Sequence, residues 1–277
     1  MNSEQTHCMN LLREADRDRY LSVLYASEEK RGDLFALYAF NAEVARIRDV
    51  VHDPLPGEMR LQWWRDLING TEHGAAAAHP VASALLAAIE KHNLPRVTFD
   101  NYCEARIFDL YNDPMPSRND LEGYSGETAS AIIQLASLVL DSDAAPQFAE
   151  LAGHAGVAQA VTGMLRLLPI HRRRKQVYFP ADMLHAVGAD ENTLLGQQDG
   201  EAAARAVLAM SALAEDHLRT YDAGKDALPT TLRPAFLPVS LCRAYLGAVK
   251  RKGAKALDEV ADISALRKHW IMFRSAS

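Results

Sequence analysis

The chain has 277 residues, 48% of them hydrophobic and 24% charged, a composition that excludes an intrinsically disordered protein. Its formal net charge of -6 argues against a dedicated nucleic-acid binder, which would carry a broad basic excess. The three cysteines lack the spacing of metal ligands, the first residues lack an export signal, and no apolar run reaches the roughly 20 residues that span a bilayer. The sequence therefore predicts a cytoplasmic protein with reduced thiols, and contact with a membrane surface is left as an open alternative.

Apolar residues recur at helical spacing along nearly the whole chain. Phe40, Val44, Ile47 and Val51 follow the spacing i, i+4, i+7 and i+11 of one helix face. Strand-like alternation is nearly absent, and short breaks rich in turn residues separate the periodic segments. Without a linker or an internal repeat, the sequence predicts one all-α domain over residues 1–277. Further helices are expected near residues 57–70, 77–92, 95–112, 118–140, 144–168, 200–223 and 232–251.

Polar residues interrupt the apolar face of the helix that contains Ile47. Asp49 and Asp53 are four residues apart, a spacing at which two carboxylates on one helix face could share Mg²⁺ and so hold a diphosphate. Asp53 precedes Pro54, however, and the proline ring disfavours the α conformation of the residue before it. The alternative is a solvated helix end, where Glu43 and the arginines that flank Ile47 form surface ion pairs worth roughly a few tenths of a kcal/mol.

A cluster of basic residues follows Pro169 in an otherwise acidic protein. Pro169 should end or kink the preceding helix, so the cluster is expected to form a loop. Arginine offers a planar fork of donors that matches two phosphate oxygens, and such a loop could hold phosphate groups. It could equally contact anionic lipid headgroups, or be an ordinary solvated loop. The cluster consists of His171, Arg172, Arg173, Arg174 and Lys175.

Two further segments place polar groups on predicted helices. Asp109 lies near aromatic residues, whereas Asp113 precedes a proline and is expected outside the helix. A single acid on an amphipathic helix is more often a surface residue or a buried partner of arginine than a catalytic group. The segment from Tyr124 to Ser130 is rich in small residues, which would let two helices, or a helix and a ligand, approach closely. Tight helix packing is the simpler explanation.

Together these stretches resemble the squalene/phytoene synthase family, all-α isoprenoid synthases that join two prenyl diphosphates head to head. Several motifs occur in the family's order, and the resemblance implies an isoprenoid-synthase-like helical bundle with a central apolar cavity. The matching stretches are residues 35–40 before the first aspartate-rich motif, residues 61–67 of the tryptophan–arginine segment, residues 79–81, Asp109, residues 124–130 of the tyrosine/alanine/glycine segment, and residues 166–180 of the second aspartate-rich motif.

The two aspartate-rich motifs are degenerate. Family synthases carry two DxxxD motifs whose four carboxylates bind Mg²⁺ and neutralise the leaving diphosphate. Aligned without gaps, the first motif falls on Ala45 and Asp49, and the second falls on Leu167 and His171. One carboxylate of four remains unless a local shift recruits Asp53, and neither leucine nor histidine suits Mg²⁺. The pattern resembles a branch of the family that includes the mitochondrial assembly factor for respiratory complex I.

The resemblance implies two main functional alternatives. A catalytically impaired member would bind an isoprenoid, a lipid or a membrane-associated protein and support assembly of a respiratory complex, without a cofactor. An active prenyltransferase would need Mg²⁺ at a rearranged site that could include Glu43, because ionising an allylic diphosphate requires stabilised negative charge. A third alternative is a scaffold whose cavity is filled by side chains.

The resemblance also implies candidate residues and partners. The expected partners are a prenyl diphosphate or lipid, a respiratory-complex subunit and, through peripheral contact, the inner face of a membrane, but no nucleic acid. The candidate catalytic residues are Asp49, Asp53, Asp109, Tyr124 and Arg166, the candidate diphosphate-binding residues are Arg172, Arg173, Arg174, Lys175 and Tyr178, and the candidate metal ligands are Asp49 and Asp53.

Overall fold

The computed structural model describes residues 1–70, 78–196 and 200–276, and within them the chain forms helices and no strand. The all-α prediction is confirmed. None of the described helices is both long enough and apolar enough to cross a membrane. The helices are α1 (Ser3–Ala15), α2 (Arg17–Val23), α3 (Glu28–Ala45), α4 (Ile47–Val50), α5 (Pro54–Asn69), α6 (Pro80–His92), α7 (Arg96–Ala105), α8 (Arg118–Ser125), α9 (Ala131–Leu140), α10 (Ala149–Arg166), α11 (Leu168–Arg173), α12 (Ala181–Ala186), α13 (Glu191–Leu195), α14 (Gly200–Gly224), α15 (Arg233–Phe236), α16 (Cys242–Lys252) and α17 (Ala265–Ala276).

Two helices form the centre of the bundle. Helix α10 packs against α9, α14 and α16, and α3 packs against α1, α6 and α9. The second half of α3 is buried on nearly all sides, as expected of a helix that is apolar around its whole circumference. The four residues of the predicted apolar face are buried, namely Phe40, Val44, Ile47 and Val51. The prediction that they share one helix is wrong, because α3 ends at Ala45, Ile47 begins α4 and Val51 follows α4. These helices therefore provide the rigid walls against which polar side chains can be positioned.

A proline lies at the break that separates the two predicted metal ligands. Helix α3 ends at Ala45, and Asp49 lies in the short helix α4 that follows. Asp53 has extended backbone angles (φ -111°, ψ 151°) and precedes Pro54, the first residue of α5. Because the two aspartates lie in different elements, they do not share the face of one helix.

The basic cluster is not the loop that the sequence predicts. Helix α10 ends at Arg166, as expected, but Pro169 is accommodated in the first turn of α11, which extends to Arg173. Proline is tolerated at this position because the first backbone N–H groups of a helix have no partner within the helix. The chain then turns at Lys175, whose φ is 57°.

The segment expected as one helix over residues 118–140 contains a π-helical turn over Gly126–Ser130. A Cβ atom at Gly156 of α10 would lie 2.4 Å from Ser130 Cα, so only glycine fits there. Space is open around Gly126, where an added Cβ would meet nothing within 4 Å. The close helix contact in this segment is therefore made at Ser130.

Candidate functional site: a central cavity lined by arginines

A cavity of about 410 Å³, here called the central cavity, lies between α3 and α4 on one side and α10 and α11 on the other. A central cavity is present as predicted, and a scaffold filled by side chains does not fit it. The expectation that the cavity is apolar is wrong, because charged side chains line much of its wall. All four aligned positions of the degenerate motifs contribute to its wall. They are Ala45, Asp49, Leu167 and His171.

Four aspartates line the central cavity, and each forms a salt bridge with an arginine of the same wall. A carboxylate that is hydrogen-bonded by a guanidinium competes poorly for a metal ion. Asp18 is the exception, because its Oδ1 atom is buried without a hydrogen-bond partner and Arg166 lies beyond hydrogen-bond distance. The pairs are Asp16 with Arg19 at 2.6 Å, Asp18 with Arg166 at 3.8 Å, Asp49 with Arg174 at 2.5 Å, and Asp109 with Arg106 at 2.9 Å.

Two arginines of the cavity wall form no salt bridge with a described residue, although the charge of Arg46 acts on Glu43 and opposes the rise in its pKa. Arg46 lies at the break between α3 and α4, and Arg48 donates to the Asn112 Oδ1 atom at 3.3 Å, while its own Nε atom is buried without a partner. The wall thus carries six arginines and four aspartates, a formal excess of two positive charges. Surface ion pairs of these arginines were one of two alternatives for this segment, and neither arginine forms a salt bridge with a described residue. The sequence signal for them is a basic residue on each side of Ile47.

His171 adds no charge to this wall at neutral pH. It occupies the second aligned position of the second motif, and its Nδ1 atom is buried without a hydrogen-bond partner. Burial lowers the pKa of His171 to about 4, with Arg174 acting in the same direction. The imidazole is therefore neutral, and its ring stands edge-on to Tyr178 with the ring centres 4.9 Å apart.

Asp109 is the centre of a buried hydrogen-bond network. Arg106 donates to its Oδ2 atom at 2.9 Å, and the hydroxyls of Tyr124 and Tyr178 both donate to Oδ1 at 2.7 Å. Gln176 donates to its main-chain oxygen at 3.1 Å. Burial, and then the charge of Asp109, raise the pKa of Tyr178 well above its usual range, so the hydroxyl stays protonated as a donor. Asp109 is thus a buried partner of arginine, the commoner of the two interpretations.

Arg166 is fixed on three sides. Its guanidinium lies 3.7 Å from the centre of the Tyr245 ring, and Asp18 and Asp262 lie 3.8 Å and 3.5 Å from its terminal nitrogens. Its Nε atom donates to the Ala261 main-chain oxygen at 3.3 Å. The side chain lines the central cavity but is held mainly by the C-terminal part of the chain.

The basic cluster is divided by the structure. Arg174 and Tyr178 line the central cavity, whereas Arg173 and Lys175 are exposed and do not line it. Arg172 faces away from the cavity. It donates to the main-chain oxygens of residues 194, 196 and 257 and forms a salt bridge of 2.6 Å with Asp258.

Two other predicted acids lie outside the central cavity. Asp53 is exposed, and its side chain makes no capping hydrogen bond at the start of α5. Glu43 points into a second depression, here called the lateral groove, which is lined by Trp63, Trp64 and His79 among other residues. Burial raises the pKa of Glu43 to about 7 and lowers that of His79, whose Nε2 atom lies 3.6 Å from the carboxylate.

The donor set of the central cavity does not fit a Mg²⁺ cluster. Three of the four aligned motif positions carry Ala45, Leu167 and His171, and the remaining carboxylate, Asp49, is bound to Arg174. Among the residues that the structure describes, no group of three or more His, Cys, Asp or Glu side chains could hold a metal ion. What the wall offers instead is guanidinium donors, which suit a phosphate or carboxylate oxygen.

Comparison with known proteins agrees with the motifs. The model of the squalene/phytoene synthase family matches residues 12–267. Assembly factor 6 of NADH dehydrogenase (ubiquinone) complex I is 29% identical in Bos taurus and 28% identical in Homo sapiens, in each case over 246 residues that cover 88% of this chain and 73% of the relative. A presqualene diphosphate synthase of Rhodopseudomonas palustris is 26% identical over 173 residues, 61% of this chain and 60% of that protein. These matches confirm the resemblance to the family and to its degenerate branch.

Solved structures share the fold. A dehydrosqualene synthase in complex with a ligand superposes with a TM-score of 0.84 at 17% identity, covering 98% of this chain and 95% of that chain. A squalene synthase of Alicyclobacillus acidocaldarius superposes with a TM-score of 0.75 at 19% identity, covering 90% and 94% of the two chains. The predicted isoprenoid-synthase-like architecture is thus confirmed.

Proposed function

Because the chain belongs to the squalene/phytoene synthase family, we propose that it is a non-catalytic member that acts at a membrane surface and supports assembly of respiratory complex I. Its central cavity binds the phosphate end of an isoprenoid or lipid without a metal ion. Binding is inferred from the cavity and assembly from the relatives, and each part has its own test.

The observation that carries the binding proposal is the charge arrangement of the cavity wall. Among the described residues, each of the four aspartates of the wall lies within salt-bridge distance of an arginine, whereas Arg46 and Arg48 form no salt bridge. An anion that enters the cavity gains charge-assisted hydrogen bonds from these guanidinium groups. Ionisation of a prenyl diphosphate, by contrast, requires stabilisation of the leaving group, and the wall offers no free carboxylate cluster to bind the metal ions for it.

The assembly proposal is supported by the relatives. Proteins named assembly factor 6 of NADH dehydrogenase (ubiquinone) complex I match 88% of this chain in two mammals, whereas the matched presqualene diphosphate synthase covers 61%. A protein that has kept the cavity but lost the acidic motifs is suited to bind an isoprenoid or lipid without converting it. The partner in this proposal is a subunit or an assembly intermediate of complex I.

Binding and catalysis are tested together by incubating the purified protein with farnesyl or geranylgeranyl diphosphate, with Mg²⁺ or with EDTA. We expect thermal stabilisation that is the same in both conditions, of about 2–3 kcal/mol when the ligand is at 100 times its Kd, and no release of diphosphate. Mg²⁺-dependent release of diphosphate with a C30 or C40 product would overturn the proposal and establish an active prenyltransferase.

Matched variants locate the phosphate. The double variant Arg46→Gln/Arg48→Gln should lose most of the stabilisation, because it removes the two guanidinium groups of the wall that form no salt bridge with a described residue. The double variant Arg173→Gln/Lys175→Gln removes the same charge from exposed positions off the cavity wall and should keep it. If only the second pair mattered, the phosphate would lie on the basic cluster and the cavity assignment would be wrong.

Assembly is tested in the host of this protein. Deletion of the gene should lower the amount of assembled complex I, and a tagged copy should co-purify with a complex I subunit or intermediate. Normal complex I in the deletion strain, together with no co-purified subunit, would contradict this part of the proposal without affecting the cavity experiment.

A further inference from the structure

Helix α17 presents an apolar ridge, formed by Leu266, Trp270 and Phe273, on its solvent-facing side. At about 100° per residue, these three positions fall within about 60° of the helix circumference. Their side chains are 84%, 59% and 63% exposed, respectively. Met272 lies about 130° from the middle of the ridge and is fully buried against the core, so α17 has one apolar face for the bundle and another for solvent.

The charges of α17 are all basic. Its sequence ALRKHWIMFRSA contains two arginines, one lysine and one histidine but no acid. Lys268 points toward the bundle, with its Nζ atom 3.1 Å from Asp262, whereas Arg267 and Arg274 are exposed and lie together along one side of the ridge. The Arg274 guanidinium lies 4.8 Å from the centre of the Trp270 ring, which places a cation at the edge of the apolar surface.

We propose that α17 lies flat on a bilayer surface that contains anionic phospholipids. The ridge enters the boundary between headgroups and acyl chains, and Arg267 and Arg274 contact lipid phosphates. A leucine and two aromatic residues on one face with cations beside them are typical of helices that bind membrane interfaces. At 12 residues the helix is about 18 Å long, a length that suits in-plane contact.

The exposed arginines of α17 favour an anionic bilayer as the surface that the ridge contacts, over an apolar protein surface or a second copy of the chain. Two exposed arginines on the border of the ridge, with no acid in the same helix, would repel the same helix of a second copy across an isologous interface. An anionic bilayer complements both the apolar ridge and the exposed arginines. The inference deepens the membrane contact of the proposed function and does not depend on what the central cavity binds.

The experiment is flotation of the full chain with vesicles of phosphatidylcholine alone or mixed with phosphatidylglycerol. Binding should require the anionic lipid and weaken as salt is raised. Leu266→Ser/Trp270→Ser should lower vesicle affinity by about tenfold or more, because the apolar ridge is lost. Leu208→Ser is the matched control, since Leu208 is an exposed leucine of α14 (53% exposed) outside the ridge.

Fluorescence quenching gives a second measurement. Lipids brominated on their acyl chains should quench the fluorescence of Trp270, so quenching should persist in Trp63→Phe and largely disappear in Trp270→Phe. Equal melting temperatures of the variants would show that they fold.

Three results would overturn the inference: no binding to anionic vesicles, unchanged binding of the ridge variant, or a concentration-dependent dimer that the ridge variant abolishes. Stabilisation by prenyl diphosphate is measured separately, on the protein without vesicles. Failure of vesicle binding with intact stabilisation by prenyl diphosphate would therefore reject only the role of α17.

Discussion

Asp49 and Arg174 form a salt bridge of 2.5 Å that joins α4 to the end of the basic cluster. Residue 49 is the one carboxylate left in the first degenerate motif, and Arg174 lies three positions after the histidine of the second motif. Both side chains are about one-third exposed, at 37% and 34%, so the pair contributes only about 0–1 kcal/mol to stability. The main effect of the salt bridge is on ligand binding, because the Arg174 guanidinium and the Asp49 carboxylate are bound to each other and are less available to a ligand.

Asp49→Asn should therefore strengthen binding of inorganic diphosphate. Removing the carboxylate charge frees Arg174 to act as a donor, and we expect the Kd to fall by about three- to tenfold in the presence of EDTA. Isothermal titration calorimetry measures the change. Asp53→Asn, at an exposed position outside the cavity, is the control and should leave the Kd unchanged. If Asp49 instead held Mg²⁺ for catalysis, Asp49→Asn would weaken binding, and only in the presence of that metal.

Arg172 should matter for folding more than for binding. Its guanidinium donates to three main-chain oxygens and to Asp258, and the side chain is only 10% exposed. Loss of these charged hydrogen bonds in Arg172→Ala leaves carbonyl groups without a donor and should cost about 2–4 kcal/mol. Urea denaturation measures the loss. The neighbouring Arg173→Ala, at an exposed position, should stay within about 0.5 kcal/mol of wild type. A similar loss in both variants would contradict a structural role specific to Arg172.

Much of the fold could be predicted because helical periodicity follows directly from side-chain burial. The spacing of Phe40, Val44 and Ile47 correctly identified buried residues but not the helix break at Arg46, and Pro54 correctly placed Asp53 outside a helix. Pro169 was harder to interpret. A proline after a helix can begin another helix as well as a loop, and the sequence alone does not distinguish the two.

The candidate site was less predictable because pairing depends on distant residues. The basic cluster appears uniform in sequence, yet Arg172 faces carbonyl groups while Arg174 faces the cavity. Likewise, nothing local to Arg46 and Arg48 shows that the nearest acid, Asp49, is occupied by an arginine 125 positions away. Helix positions predict which face is buried, but they do not predict which charges meet across the bundle.

The network around Asp109 should be essential for stability. Asp109→Ala would leave Arg106 buried without its carboxylate and two tyrosine hydroxyls without their acceptor. Breaking such a buried pair costs about 3–5 kcal/mol. Chemical denaturation with tryptophan fluorescence reports the change, and Asp113→Ala, at an exposed loop position, is the control. A loss below about 1 kcal/mol would contradict this prediction, because it would mean that the network contributes little net free energy to folding.

Glu43 should make the protein less stable as pH rises through the neutral range. Burial raises its pKa in the folded state to about 7, above the value of 4.5 for an ordinary glutamate, so the folded state binds the proton more tightly than the unfolded state does. The resulting stabilisation is fully present below about pH 4.5 and is lost as pH rises to about 7, with a total of about 1–3 kcal/mol.

The variant Glu43→Gln isolates this contribution. It keeps the size and polarity of the side chain in the lateral groove but cannot ionise, so its free energy of unfolding should fall less between pH 5 and about pH 8 than that of wild type. Burial lowers the pKa of His79, so His79 makes the protein more stable as pH rises. His79 and Arg46, which acts on the pKa of Glu43, are present in both proteins and do not affect the comparison. Glu14→Gln, on the exposed side of α1, should behave like wild type. If wild type and Glu43→Gln showed parallel pH profiles, the carboxyl group would be solvated in solution, and the lateral groove would be open to water at that point.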